Sequence, residues 1–272
     1  MEPRTSADWA DYFAANTRRW DDFDWSLPAG VTRQELRPIL PSIQAWQLGE
    51  TSNGGHLRAA ARRYATTCGD VDFPRAVEGF IREEQTHGEA LGRFLDAIEV
   101  PRVRRYWGDS IFRAIRYALP GIELWTTIVV MVETMALQFY AALRRATPSP
   151  LLQAICAQML RDEGPHLRFQ CERLAMIHAR RRPSLLRLTY FGQRVLYFAV
   201  VSAVWLENRP MLRAGGFTFA SFWSQAWRKM NYHWQQMRPT PRKVATPVRH
   251  ASLRQEAPSR LSGWLRYWEV ER

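Results

Sequence analysis

Two short stretches decide how this chain is read: Glu83-Glu84-Gln85-Thr86-His87 and Asp162-Glu163-Gly164-Pro165-His166. Each contains a Glu-x-x-His pair, Glu84 with His87 and Glu163 with His166. On an α-helix, residues three apart lie on one face, so the carboxylate and imidazole of each pair can serve the same cation. A single pair of this kind is common on a solvated helix face. Two pairs on separate helices carry more weight, and they require a search for the remaining ligands.

Working outward, Val77, Phe80, Ile81, Leu91, Phe94, Leu95 and Ile98 recur at helical spacing around the first motif. They predict a helix over about 74–98, with Gly69-Asp70 before it and Pro74 in its first turn. The second motif falls on a helix over about 151–178. A helix over about 42–68 precedes the first motif and carries Glu50, with a weak point at Gly54-Gly55. Between the motifs, 121–145 is almost wholly apolar around Glu133, so that helix should be central and buried. Pro148 and Pro150 mark the tight turn after it. The stretch 100–119 carries Pro101 and five arginines; it is long for a loop and suits a crossover with a short helix of its own. Further helices are expected over about 184–206 and 219–234.

The chain is therefore expected to be all-α, with a four-helix bundle over 42–178, a long crossover between its second and third helices, and additional C-terminal helices over 179–235. Residues 1–41 form an aromatic-rich lead-in (Trp9, Tyr12, Phe13, Trp20, Phe23, Trp25) that should pack onto the body. Residues 236–272 are rich in Pro, Arg and Ser and are expected to be poorly ordered, with Trp264, Leu265, Tyr267 and Trp268 as a docking point at the end.

The other two bundle helices should each supply a lone glutamate. On 121–145 the choice is Glu123 or Glu133. Glu123 lies near the helix start, where an acid is welcome for ordinary reasons. Glu133 sits among apolar residues, where an unpaired carboxylate is costly to desolvate. Glu133 also lies about 13 residues before the turn and Glu163 about 13 after it, each roughly 20 Å away at about 1.5 Å per residue, hence at one level. On 42–68, Glu50 is the only acid between Glu35 and Asp70. Its level match to Glu84 is looser, and a longer loop or a bend at Gly54-Gly55 would absorb the difference. Asp162 and Glu83, each immediately before a motif glutamate, suit acceptors for the ring N–H of the histidine on the opposite helix; ordinary surface charge is the alternative. His56, His178, His233 and His250 have no such partners in the sequence and read as surface or packing residues.

Four carboxylates and two imidazoles, with no thiolate, form a hard-to-borderline donor set that suits two iron ions, or manganese, better than structural zinc. Six protein ligands for two cations leave coordination positions open. The run from Glu83 through His87 to Gly88 resembles the Glu-Glu-x-x-His-Gly iron motif of soluble acyl-carrier-protein desaturases. The run Asp162-Glu163-Gly164-Pro165-His166 is similar to their Asp-Glu-x-x-His motif. The resemblance covers 42–178 and places the chain with the ferritin-like di-iron oxidoreductases. It implies bridging Glu84 and Glu163, histidine ligands His87 and His166, and terminal carboxylates Glu50 and Glu133, all serving oxygen chemistry. The arginine found inside each desaturase motif is replaced here by Thr86 and Pro165, and a proline two residues after Glu163 should strain its helix.

The expectation is thus an oxygen-dependent oxygenase, hydroxylase or desaturase acting on a hydrophobic or carrier-bound substrate. Ile128, Val129, Met131, Val132 and Met135 border a substrate channel or simply pack the core. There is no flavin or nicotinamide motif, so an external donor such as a ferredoxin would supply electrons. The alternatives are an iron-storage or structural bundle and, given a formal net charge of +12, a hydroxylase acting on transfer RNA. No recognisable nucleic-acid-binding motif accompanies that charge, so nucleic acid is not the expected partner. The apolar run 195–206 is too short to span a bilayer, which takes about 20 residues; a buried or homodimer-interface helix is favoured, with membrane-surface contact as the alternative. Cys68, Cys156 and Cys171 form no CxxC pair, and the opening residues show no secretory pattern; a reduced, cytoplasmic setting is the simplest reading.

Overall fold

The chain is described by a computed structural model over residues 3–105 and 121–239, which contain helices, turns and connections but no strand. Most of the expected crossover (106–120) and of the basic tail (240–272) lies outside the described residues.

The lead-in is helical. Helix α1, Ser6–Asn16, begins with a capping box in which Thr5 Oγ1 accepts from the Asp8 N–H at 3.1 Å and the Asp8 carboxylate accepts from the Thr5 N–H at 2.8 Å. A 3-10 turn, Thr17–Trp20, continues it. Helix α2 is the single turn Arg33–Leu36.

The helix expected over 42–68 is two helices, α3 (Leu40–Glu50) and α4 (Gly55–Cys68). The interruption follows from Gly54, whose φ of +62° lies in the left-handed region. A Cβ there would also stand 2.6 Å from Ile81 Cδ1. The break frees α3 to end at Glu50, and this supplies the adjustment that the loose level match to Glu84 called for.

The remaining helices are α5 (Phe73–Ala97), α6 (Ile122–Ala146), α7 (Pro150–His178), α8 (Pro183–Ala214) and α9 (Phe219–Gln236). Ser149 caps α7 by accepting from the Leu152 N–H at 3.3 Å. Helix α7 runs unbroken through Pro165, which has no N–H to offer the Arg161 carbonyl one turn back. Helix α8 extends past the expected end at Leu206 to Ala214, through Pro210.

Helices α3 and α4 pack on α5, α5 on α7, α7 on α6, and α6 on α4. These contacts link the helices in a closed circuit. Helix α1 lies along α5 on the outside, while α8 and α9 cover α6 and α7. Helix α6 is central, as its composition predicts: Val130, Met131, Met135, Phe139, Tyr140 and Leu143 are fully buried. It is also the one described helix long and apolar enough to cross a membrane, yet nearly all of it is packed inside the protein, as in a core helix. Met131 and Met135 belong to the larger apolar cluster and Val129 to a smaller one under α1.

Candidate metal centre

The periodicity that buries Phe80, Leu91 and Phe94 of α5 turns Glu83, Glu84 and His87 to the same interior. On α7 the corresponding face presents Asp162, Glu163 and His166, and α6 contributes Glu133. Two groups there can hold a metal ion: Glu84, Glu133, Glu163 and His166 form one, and Glu50, Glu84 and His87 the other. In each group the donor atoms lie within 4.8 Å of one another. All six glutamates and histidines singled out from sequence are therefore brought together, with Glu84 common to both groups.

Both imidazoles point Nδ1 inward. His166 Nδ1 lies 2.7 Å from Glu84 Oε1 and 3.3 Å from Glu163 Oε2, while His87 Nδ1 lies 3.6 Å from Glu163 Oε1. The two oxygens of Glu163 thus face different histidines. Each Nε2 points outward to an acid on the opposite helix: His87 to Asp162 Oδ2 at 3.2 Å and His166 to Glu83 Oε2 at 3.0 Å. This is the crossed pairing expected from sequence. A carboxylate at Nε2 holds the proton there and leaves the Nδ1 lone pair free for a cation.

Residues outside the motifs support this arrangement. The Asn16 side-chain amide, at the end of α1, donates to Asp162 Oδ1 at 3.1 Å and also to Glu83, so one amide ties the two acids together. Gln158 Nε2 donates to Asp162 Oδ1 at 2.9 Å and Trp20 Nε1 to Oδ2 at 3.3 Å. Tyr140 donates to Glu50 Oε1 at 2.7 Å. Phe13 and Phe80 pack against the His166 ring, and Trp20 against His87.

No protein-family model, curated protein or solved structure matches this chain. What the centre can do must come from its own chemistry. Glu84 Oε1, both oxygens of Glu163, and Nδ1 of His87 and His166 are buried, and with each imidazole proton held at Nε2 none of the five has a donor to pair with. Such atoms are costly to leave unpaired. Two cations, one in each group, would satisfy all five. The four carboxylates would also balance the charge of two divalent ions.

The protonation states lead to the same place. Burial, together with the neighbouring Glu163, pushes Glu133 well above the usual carboxylate range; burial and Glu133 do the same to Glu84. Burial raises Glu163 to about 7. Burial works against the charged form of His87, but the Asp162 hydrogen bond and the Glu84 charge outweigh it and lift His87 to about 9. Without a cation, the cluster is held together by protons.

Each of these groups keeps its proton more firmly folded than unfolded. The contribution of Glu163 is present below its unfolded value near 4.5 and is lost as pH rises through about 7. That of His87 is present below about 6.5 and is lost as pH rises through about 9. The metal-free protein should therefore unfold at lower urea concentration as pH climbs across this window, while cation affinity rises because binding displaces protons. Urea titrations of metal-free and ferrous-loaded protein check this. A metal-free midpoint that rises with pH would contradict it.

Gly88, one residue beyond His87, sets the approach of α3. A Cβ there would meet Thr51 Cγ2 at 2.7 Å, the Thr51 nitrogen at 3.0 Å and Glu50 Cβ at 3.1 Å. Gly88→Ala should push the end of α3 outward and take Glu50 with it. Ferrous-ion titration is expected to give about tenfold weaker binding or worse, comparable to losing a supporting contact; unchanged affinity would mean that α3 adjusts freely.

Of the histidines read as surface or packing residues, two are buried. His178 is buried, with Nε2 3.4 Å from Glu123 and Nδ1 3.2 Å from the Tyr190 hydroxyl; Arg181 also pairs with Glu123. Glu123 is thus engaged away from the centre. His233 is buried in α9, where burial lowers it to about 3 and keeps it neutral. His56 is exposed, and His250 lies outside the described residues.

Proposed function

We propose that this protein is an oxygen-dependent, ferritin-like di-iron oxidoreductase of the oxygenase, hydroxylase or desaturase type, acting on a hydrophobic or carrier-bound substrate. The observation that carries the reading is the convergence of six buried or half-buried glutamates and histidines from four neighbouring helical segments, with five of their donor atoms unpaired. The circuit of α3–α4, α5, α7 and α6 supports the reading, because a carboxylate di-iron bundle takes one glutamate from each of two helices and Glu-x-x-His from each of the other two.

Glu50, Glu84, His87, Glu133, Glu163 and His166 would hold two iron ions; manganese suits the same donors. When bound, the iron would supply activation of dioxygen, with electrons from an external donor of ferredoxin type. The chain's own residues do the rest. Asp162 and Glu83 hold protons at the Nε2 atoms and so fix both tautomers. Tyr140, whose pKa burial and Glu50 push well up, keeps its hydroxyl proton and uses it to orient Glu50. Phe13, Phe80 and Trp20 close the histidine side against water.

The test is oxygen uptake by ferrous-loaded protein supplied with a reductase–ferredoxin couple, with and without acyl groups or amines on a carrier protein. Uptake that depends on one of these substrates is expected. Iron oxidised and accumulated regardless of substrate would instead favour storage.

A further inference from the structure

Helix α8 carries a feature that the metal centre does not use. Its inner positions, Tyr197, Val201 and Trp205, are buried, as amphipathic packing requires. Its outer positions are apolar as well. Leu185, Leu188, Phe191, Val195, Phe198 and Leu206 are between 50% and 72% exposed. They share one side of the helix, separated by Gly192, Ala199 and Ser202, and the stripe runs about 30 Å at the usual rise per residue. A surface stripe of this length marks a contact.

The charges beside it narrow the choice of partner. Arg182 stands at one end of the stripe, Arg209 and Arg213 at the other, and Arg187 and Arg194 along one flank. No Asp or Glu occurs on α8 from Pro183 to Leu206, and Glu207 is the helix's one acid. Pairing α8 with α8 of a second copy about a two-fold axis would oppose these arginine groups in either orientation. An anionic surface with an apolar interior would match both features, because the stripe enters the acyl boundary while the arginines meet headgroups. Trp223, packed 5.0 Å from Phe198 and 5.5 Å from Phe219, stands beside the stripe as an aromatic of the kind favoured at such a boundary.

We infer that the outer face of α8 is a docking surface for an anionic lipid bilayer, on which the protein lies without spanning it. This stands apart from the metal-centre reading and would hold whatever that centre does.

The experiment is flotation of the full chain with phosphatidylcholine vesicles and with phosphatidylcholine vesicles containing one-third phosphatidylglycerol, at low and high salt. Binding is expected to favour the anionic vesicles and to weaken as salt screens the arginines. Phe191→Asp with Phe198→Asp should cut partitioning by about tenfold or more, through lost apolar contact and added negative charge, with far-UV dichroism unchanged. Leu188→Asp with Leu206→Asp should do the same. Absence of binding to anionic vesicles would overturn the proposal. So would equal binding by both double variants, which would place the contact elsewhere on the basic chain. A lipid-free dimer that both variants convert to monomer would assign the face to a second copy instead.

Discussion

Glu163→Ala is expected to leave the purified protein without bound iron, where the parent is expected to hold two ions per chain. Glu163 occupies the middle of the cluster. Its two oxygens face His87 and His166 separately, and both lack a hydrogen-bond partner. Removing it takes a donor from each side and reduces the negative charge that two divalent cations need. The loss should not come from unfolding. The stability that the Glu163 proton contributes is already being lost near pH 7, so removing the side chain should cost the metal-free fold little at neutral pH. Glu163→Gln keeps the shape and removes the charge, and it should also fail to hold two ions. Metal analysis with a parallel thermal melt separates the outcomes. Full iron occupancy in a folded Glu163→Ala protein would end the assignment.

The second large effect concerns a residue that need not touch metal. Asp162 accepts from His87, Asn16, Gln158 and Trp20, with all four donors at 2.9–3.3 Å. Asp162→Asn puts an amide where four donors converge, so at least one of them must turn away, and the His87 tautomer is no longer fixed. Loss of such a supporting carboxylate typically costs about 10–100-fold in metal affinity. Asp162→Ala should in addition destabilise the fold, because each buried donor left unpaired costs about 1–3 kcal/mol. Glu83→Gln should weaken binding by a similar factor through His166. Competition with a chelator of known affinity measures the first effect and urea unfolding the second. Affinities within about twofold of the parent in both Asp162→Asn and Glu83→Gln would mean that the crossed pairs are merely structural.

Much of this centre is legible in sequence because α-helical geometry is local. Glu-x-x-His spacing places two side chains on one face whatever the helix packs against, and a lone acid in a run as apolar as α6 demands a partner. The crossed Asp162–His87 and Glu83–His166 bonds follow from the same periodicity, one position along. Glu50 was harder to place, because its level depends on where α3 stops. That is decided by the left-handed turn at Gly54, whose φ is not written in any periodic pattern. The weak point at Gly54-Gly55 was visible, but its consequence, a complete break between two helices, was not.

Asn16 and Trp20 were missed for a different reason. Trp9, Phe13, Asn16 and Trp20 recur at helical spacing, and that signal would have turned the lead-in into a helix with one face inward. The polar member of that face then becomes a candidate for the interior. The partner of Tyr140 has no comparable local signal, because Tyr140 and Glu50 meet only through the packing of α3 on the far side of the circuit. Gly88 had one, its place directly after His87, but its physical purpose depends on how closely Thr51 and Glu50 approach.

Whether these six side chains bind metal is asked most directly by anomalous diffraction at the iron edge from crystals of ferrous-loaded protein. Two iron peaks are expected in the space enclosed by Glu50, Glu84, His87, Glu133, Glu163 and His166, with Glu84 and Glu163 adjoining both. A density map with no iron among these residues, or with iron held only at the protein surface, would contradict it.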